Sequence, residues 1–267
     1  MQTSLLTAEG VRLSLRESGG DGPAVVLVHG WAQSGEVWTH QLAAPPFRAT
    51  APDLRGHGDS EVTEDGYRDP AAWAADLKAV LDRVGAPAVL VGWSYGGLVV
   101  TDYLRVHGTA AVAGLVLVGA ITEIGRDRPG GATGPLMRRA LPDALSEDPA
   151  VAVPALTRFI TDQAPGLEGA VAQRMIGAAL RVPPWVRREL FRRDVGSADV
   201  LRSVDRPTLV LHGTADQVVD PAAGEYAAAL IPGARSHRYP DVGHAPFLER
   251  PERFTADLAA FAREVAR

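Results

Sequence analysis

The segment Gly92-Trp93-Ser94-Tyr95-Gly96 sets a serine between two glycines, each two positions away. It follows the apolar run Ala88 to Val91 and precedes a helical pattern through Leu98, Val99, Tyr103 and Leu104 that closes near Gly108. At such a strand-to-helix junction a sharp, strained turn lifts the serine hydroxyl above the sheet edge. Side chains at Gly92 or Gly96 would collide with that turn. The helix that follows points its first amides toward any anion formed at the hydroxyl. The pattern predicts a nucleophile at Ser94, against the competing reading of a glycine-rich packing turn with an incidental serine.

A serine hydroxyl is a weak nucleophile until a base takes its proton. Seven histidines compete for that role, namely His29, His40, His57, His107, His212, His237 and His244. His244 lies in Asp241-Val242-Gly243-His244-Ala245-Pro246-Phe247, a turn between a late strand pattern and the last helix, and is the expected base. His237 falls inside the strand pattern Arg235 to Tyr239 and His107 at a helix end, where surface or packing roles suit them. His29, ahead of Gly30 at a strand terminus, reads as a brace for its loop. The base in turn needs a carboxylate that fixes its tautomer and stabilises the imidazolium. Thr208 to Asp216 reads as a strand followed by a turn, which puts Asp216 at a carboxyl end of the sheet, where ligand sites of open α/β sheets lie. Asp220, before Pro221, looks like a helix cap, and Asp241 begins a turn.

Attack on a carbonyl produces an oxyanion, which calls for two N–H donors already aimed at it. The expected pair is the backbone amide of Tyr95, next to the nucleophile, and that of Trp31 in His29-Gly30-Trp31, after the first buried strand. Losing one such donor costs roughly 3–4 kcal/mol of transition-state stabilisation. Trp31 could equally be a core or lid contact, and its side chain can serve that role in addition.

These groups need a scaffold, and the periodicity supplies one. Val11 to Arg16 alternates apolar and polar residues, the pattern of a half-buried strand in an antiparallel edge. Ala24–Val28, Ala88–Val91, Leu115–Val118 and Thr208–Leu211 are short, apolar on both faces and rich in branched residues, as buried parallel strands are. Helical patterns separate them: Asp69 to Val84, with Trp73, Leu77, Val80, Leu81 and Val84 on one face and Gly85 as a stop, and Pro251 to Val265 at the end. Strands alternating with helices predict an α/β fold, a mostly parallel sheet covered on both faces. From about Ile121 to Val200 the rhythm breaks, with eight prolines and short helical patterns such as Trp185 to Val195. A structureless loop of that length is implausible inside a compact domain. The expected division is a core of residues 1–120 and 201–267 with an inserted helical cap over 121–200.

Composition narrows the partners. A formal net charge of -5 gives no reason to expect nucleic acid or an anionic membrane, and no run approaches the ~18 apolar residues of a membrane span. Without cysteine, disulfides, thiolate metal sites and thiol nucleophiles are excluded. The first ten residues lack a basic stretch followed by an apolar run, so a cytoplasmic location is expected. No metal or organic cofactor is required by the chemistry above. The cap segment carries eleven arginines against ten acids. Arg138, Arg139, Arg187, Arg188, Arg192 and Arg193 read as a solvated face, with a site for an acyl-carrier or phosphorylated substrate as the rival.

Taken together, His29-Gly30-Trp31, Pro52 to Ser60, Gly92 to Gly97, Gly213 to Asp216 and Gly243-His244 resemble the landmarks of the α/β-hydrolase superfamily over nearly the whole chain. The order Ser94, Asp216, His244 is also the order expected there. The resemblance implies that Asp53, His57, Asp59 and Ser60 belong to a structural loop. It implies ester hydrolysis through an acyl-enzyme, and Trp31, Trp93 and Tyr95 near the nucleophile suit a small or mid-sized, largely apolar substrate. Serine at position 94 argues against the dehalogenase and epoxide hydrolase branches, which use aspartate. Thioesterases, lactonases, carbon–carbon bond hydrolases and cofactor-free perhydrolases retain serine and stay open, as does a triad-retaining small-molecule receptor, which would show slow or single turnover. With His244 as a neutral base, activity should fall in acid as the imidazole protonates, near the reference value of about 6.5. A rate profile recorded from about pH 9 down to about pH 4 checks this; a flat one contradicts it.

Overall fold

The computed structural model describes residues 1–43, 45–85 and 87–266. Eight strands form one sheet: β1 (Gln2–Leu6), β2 (Arg12–Glu17), β3 (Ala24–Val28), β4 (Arg48–Pro52), β5 (Ala88–Trp93), β6 (Val112–Val118), β7 (Thr208–Gly213) and β8 (Arg235–Tyr239). Their spatial order is β1-β2-β4-β3-β5-β6-β7-β8. Only the β1–β2 and β2–β4 pairings are antiparallel; from β4 to β8 every pairing is parallel. The continuous apolar runs form the inner strands, with β3, β5 and β7 buried at every position.

Two strands carry little sequence signal. β1 alternates exposed and half-buried residues at the sheet edge. β4, Arg-Ala-Thr-Ala-Pro, has weak intrinsic strand preference, and its pairing with β2 and β3 decides its state.

The helices are α1 (Thr39–Ala43), α2 (Pro70–Val84), α3 (Tyr95–His107), α4 (Pro135–Ala144), α5 (Pro149–Gln163), α6 (Gly169–Arg181), α7 (Pro184–Leu190), α8 (Ala198–Arg202), α9 (Pro221–Leu230), α10 (Pro246–Glu249) and α11 (Pro251–Val265). Their ends follow local chemistry. The Asp69 carboxylate accepts from the Ala71 amide, Pro70 needs no amide partner at the first turn, and Gly85 closes α2 in the left-handed region at φ 72°. Asp220 caps α9 in the same way, through the Ala222 amide. Among the described residues no helix is long and apolar enough to cross a membrane.

Among the described residues five helices, α4 to α8, lie between β6 and β7, and the stretch holding α4 to α7 is drawn together at its flanks, where Ile124 and Val195 exchange backbone hydrogen bonds of 3.0 and 2.7 Å. The exit from α7 is bolted to the core. Arg193 donates to Asp102 of α3 at 2.6 Å and to the Tyr95 hydroxyl at 3.0 Å, with both charged side chains fully buried. Tyr95 also donates to the Leu190 carbonyl. Burial pushes the Tyr95 phenol up to about 12, so it stays neutral and can both give and receive these bonds. Breaking a buried pair from one side leaves an uncompensated charge, at about 3–5 kcal/mol.

The six cap arginines do not form one solvated face. Arg193 is committed to Asp102, and Arg187 is buried with its guanidinium on the Ala179 and Val182 carbonyls at the end of α6. Arg188 and Arg192 pair with Glu147 and Glu189.

Candidate active site

Ser94 is the single residue between β5 and α3, with φ 55° and ψ -122°. For a residue with a Cβ this backbone is strained, at roughly 1–3 kcal/mol. Its surroundings hold it there. The Ser94 amide donates to the Val118 carbonyl and its carbonyl accepts from Ile121, both at 3.1 Å. A Cβ at Gly92 would stand 2.8 Å from the Gly96 carbonyl oxygen, and one at Gly96 would stand 2.5 Å from the Val28 carbonyl oxygen. The flanking glycines are required because the turn folds back on β3 and on itself.

The loop after β3 meets the same point. A Cβ on Gly30 would fall 2.9 Å from the Ser94 Cβ. His29 braces this loop: its Nε2 accepts from the Leu54 amide at 2.9 Å and its Nδ1 faces the Gly30 carbonyl at 2.8 Å. Burial, reinforced by the neighbouring His57, pushes the His29 imidazole well below its ordinary range, and burial carries His57 down to about 4. Both rings are held neutral inside the loop. Among the described residues, no hydrogen bond runs from the backbone amides of Trp31 and Tyr95 to a protein group.

Asp216 and His244 are joined directly, with His244 Nδ1 2.8 Å from Asp216 Oδ2. The other carboxylate oxygen accepts from the Val218 and Val219 amides at 2.8 and 3.1 Å. Burial alone would raise the Asp216 carboxyl, but the His244 charge and hydrogen bonds from His212 and His244 outweigh it and hold the group well below the usual carboxylate range. Asp216 is therefore an anion that fixes the proton on His244 Nδ1 and leaves Nε2 as the basic nitrogen. The Ser94 hydroxyl makes no hydrogen bond to either among the described residues; its place beside the pair follows from the strands. Trp93, one residue before it, donates its indole N–H to the His244 carbonyl at 2.9 Å, and the two rings lie 5.2 Å apart.

The backbone of the base loop is clamped around His244. Glu249 accepts from the Gly243 amide at 2.9 Å with one oxygen and from the Ala245 amide at 3.1 Å with the other. The His244 amide donates to the carbonyl of Gln163, the last residue of α5. Neither Glu249 nor Gln163 carries a local sequence sign of this role, because one acts across a turn and the other across the fold. Of the rivals, Asp220 caps α9, Asp241 is exposed at φ 57°, and His40 and His237 are exposed. Asp53 accepts from the Gly35 and Asp59 amides and pairs with Arg16, and Ser60 donates to the Asp53 carbonyl, so this segment is structural. Among the described residues no group of three or more histidine and carboxylate side chains is arranged to hold a metal ion.

Trp31, the residue after Gly30, belongs to an aromatic cluster. The Trp31 ring packs edge-on against Phe159 of α5 and against Phe191 beyond α7, at 5.8 and 5.4 Å between centroids. Gly119, the residue after β6, has φ 46°, and a Cβ there would fall 3.1 Å from Asp216 Oδ2 and 3.3 Å from His244 Nδ1. Gly119→Ala should therefore part Asp216 from His244 as well as strain the turn. We expect kcat to fall by about tenfold or more with KM little changed, since proton transfer, worth some 10²–10⁴-fold, is what suffers. Steady-state kinetics check this; a wild-type kcat contradicts it.

The geometry has counterparts among known proteins. Residues 25–258 match the model of the alpha/beta hydrolase family. The pimeloyl-acyl-carrier-protein methyl ester esterase of Methylococcus capsulatus is 34% identical over 249 residues, 89% of this chain and 93% of its own. A non-heme haloperoxidase of Rhodococcus erythropolis is 30% identical over 263 residues, 91% and 93% of the two chains. The crystal structure of an esterase from Rhodococcus superposes with a TM-score of 0.94 at 44% identity, covering 99% of each chain. The chain is a member of the alpha/beta hydrolase family.

Proposed function

We propose that this chain is a serine esterase that cleaves a carboxylic ester of a small or mid-sized, largely apolar substrate through an acyl-enzyme. The observation that carries the reading is the convergence of a strained serine elbow and a buried Asp216–His244 pair on one edge of the sheet. Ser94 is the nucleophile, His244 the base and Asp216 the acid that orients it. As Ser94 Oγ attacks the carbonyl carbon, its proton passes to His244 Nε2, and the imidazolium is stabilised by Asp216. The carbonyl oxygen becomes an oxyanion held by the Trp31 and Tyr95 amides. On collapse the alkoxide leaves with the proton from His244. Water then repeats the sequence on the acyl-enzyme, with His244 first as base and then as acid. None of these steps calls for a metal or an organic cofactor.

Residues 121–200 act in this reading as a cap on a core of residues 1–120 and 201–267. Trp31, Phe159 and Phe191 give the substrate an apolar wall, which favours a hydrocarbon acyl or alcohol group over a charged one. The acyl-carrier substrate named for one relative fits less well, because Arg187 and Arg193 are committed inside the protein. A cytoplasmic enzyme acting on small molecules, without nucleic acid or membrane as partner, agrees with the composition. Similarity to a haloperoxidase adds one variant on the same residues, in which hydrogen peroxide replaces water in deacylation.

A panel of esters, thioesters and lactones of varied acyl length, with a peroxide arm, tests the proposal beside Ser94→Ala. Short-chain esters should be turned over repeatedly, and Ser94→Ala should lose on the order of 10⁴-fold or more with an unchanged circular dichroism spectrum. Undiminished turnover in that variant contradicts the assignment. Single turnover by the unaltered protein would favour a receptor.

A further inference from the structure

His212, in the Thr208–Asp216 segment, is the second histidine beside Asp216 and has no part in the scheme above. It lies at the end of β7 and is buried, and its Nε2 is 3.1 Å from Asp216 Oδ2, the oxygen that also accepts from His244. The same nitrogen is 3.2 Å from the Val219 carbonyl. Both neighbours are acceptors, so Nε2 must carry the hydrogen, which bonds the Val219 carbonyl with the Asp216 oxygen at 3.1 Å beside it. The other ring nitrogen, Nδ1, is buried with no partner among the described residues. It abuts α9 where a Cβ on Gly224 would stand 2.7 Å away. A nitrogen so enclosed, with no acceptor, is the unprotonated one. The Nε2–H of His212 therefore lies between the Val219 carbonyl and the Asp216 carboxylate.

We propose that His212 is a positioning residue that shares Asp216 Oδ2 with His244 and so tempers how strongly that carboxylate holds the catalytic imidazolium. The inference rests on the esterase reading for its consequence, though not for its geometry. A donor on Oδ2 takes up part of its negative charge and one of its lone pairs. With the donor present, Asp216 orients His244 firmly yet binds its protonated form less tightly, so the base returns its proton readily. Without the donor, Oδ2 turns its full charge on His244, and the ring stays protonated to higher pH. Of the other ionisable groups, Glu249 brackets the base loop from α10, while β5, α5 and α9 and the end of β6 present Trp93, Gln163, Gly224 and Gly119. Glu249 is the same in every variant below and cannot produce a difference between them.

The test compares His212→Leu, which removes the donor, with His212→Gln, whose amide nitrogen falls near the lost Nε2, and His212→Asn, whose amide falls short of Asp216. The acid limb of kcat/KM should move up by about half to one pH unit in the leucine and asparagine variants, the effect one hydrogen bond can exert. Glutamine should return the limb toward its original position. A limb that stays in place or moves down, or glutamine and asparagine variants that behave alike, overturns the proposal. Packing loss alone would lower the rate at every pH without moving the limb. Should the leucine variant fail to fold, the glutamine and asparagine pair decides. An NMR titration of the His244 ring, identified against His244→Gln, reads the same shift without turnover. If the unaltered protein cleaves no ester, the esterase reading falls and the titration still tests His212.

Discussion

The backbone at Ser94 is the constraint around which the rest is arranged. A side-chain-bearing residue at φ 55° and ψ -122° persists only if its neighbours over-determine it. Here the end of β6 and the segment after it grip the residue through Val118 and Ile121, and α3 starts on the other side. Glycines at 30, 92 and 96 remove the atoms that would otherwise occupy the turn. That crowding has a chemical use. Under the proposed function it sets the hydroxyl where the Trp31 and Tyr95 amides would receive the oxyanion.

A second constraint concerns Asp216. A buried carboxylate is unfavourable unless its lone pairs are filled, and the Val218 and Val219 amides with His244 fill them, with His212 Nε2 3.1 Å away. The anion is therefore stable where water is excluded, and its direction is fixed. The cap segment shares in this arrangement. The carbonyl of Gln163 holds the His244 amide, and Arg193 ties the end of α7 to Asp102 and to the Tyr95 side chain. Placement of His244 and of Tyr95 is consequently linked to how residues 121–200 sit. Tyr95 joins both functions, with its amide beside the nucleophile and its hydroxyl locked in the cap junction.

Much of this arrangement is legible from spacing alone. Apolar runs locate β3, β5, β6 and β7, and capping residues locate α2 and α9, because those signals are local. Ser94, Asp216 and His244 are legible because each falls at a strand end with a turn beside it. β4 is not, since its residues are strand-forming only between two neighbours already in place. Glu249 and Gln163 are not, because their partners are backbone amides whose positions depend on the fold. His212 is visible as one of seven histidines, yet the turn that brings its Nε2 back onto Asp216 spans four residues and leaves no periodic mark. The arginine cluster misleads by proximity in sequence, for α7 and its exit send two of those side chains inward.

The central claim is that the Ser94 hydroxyl is a nucleophile activated by His244. Fluorophosphonate labelling followed by peptide mass spectrometry tests it most directly. One adduct per chain, located on Ser94, lost in Ser94→Ala and slowed by orders of magnitude in His244→Gln, is the predicted result. Labelling at another residue, or an undiminished rate in either variant, would contradict the account.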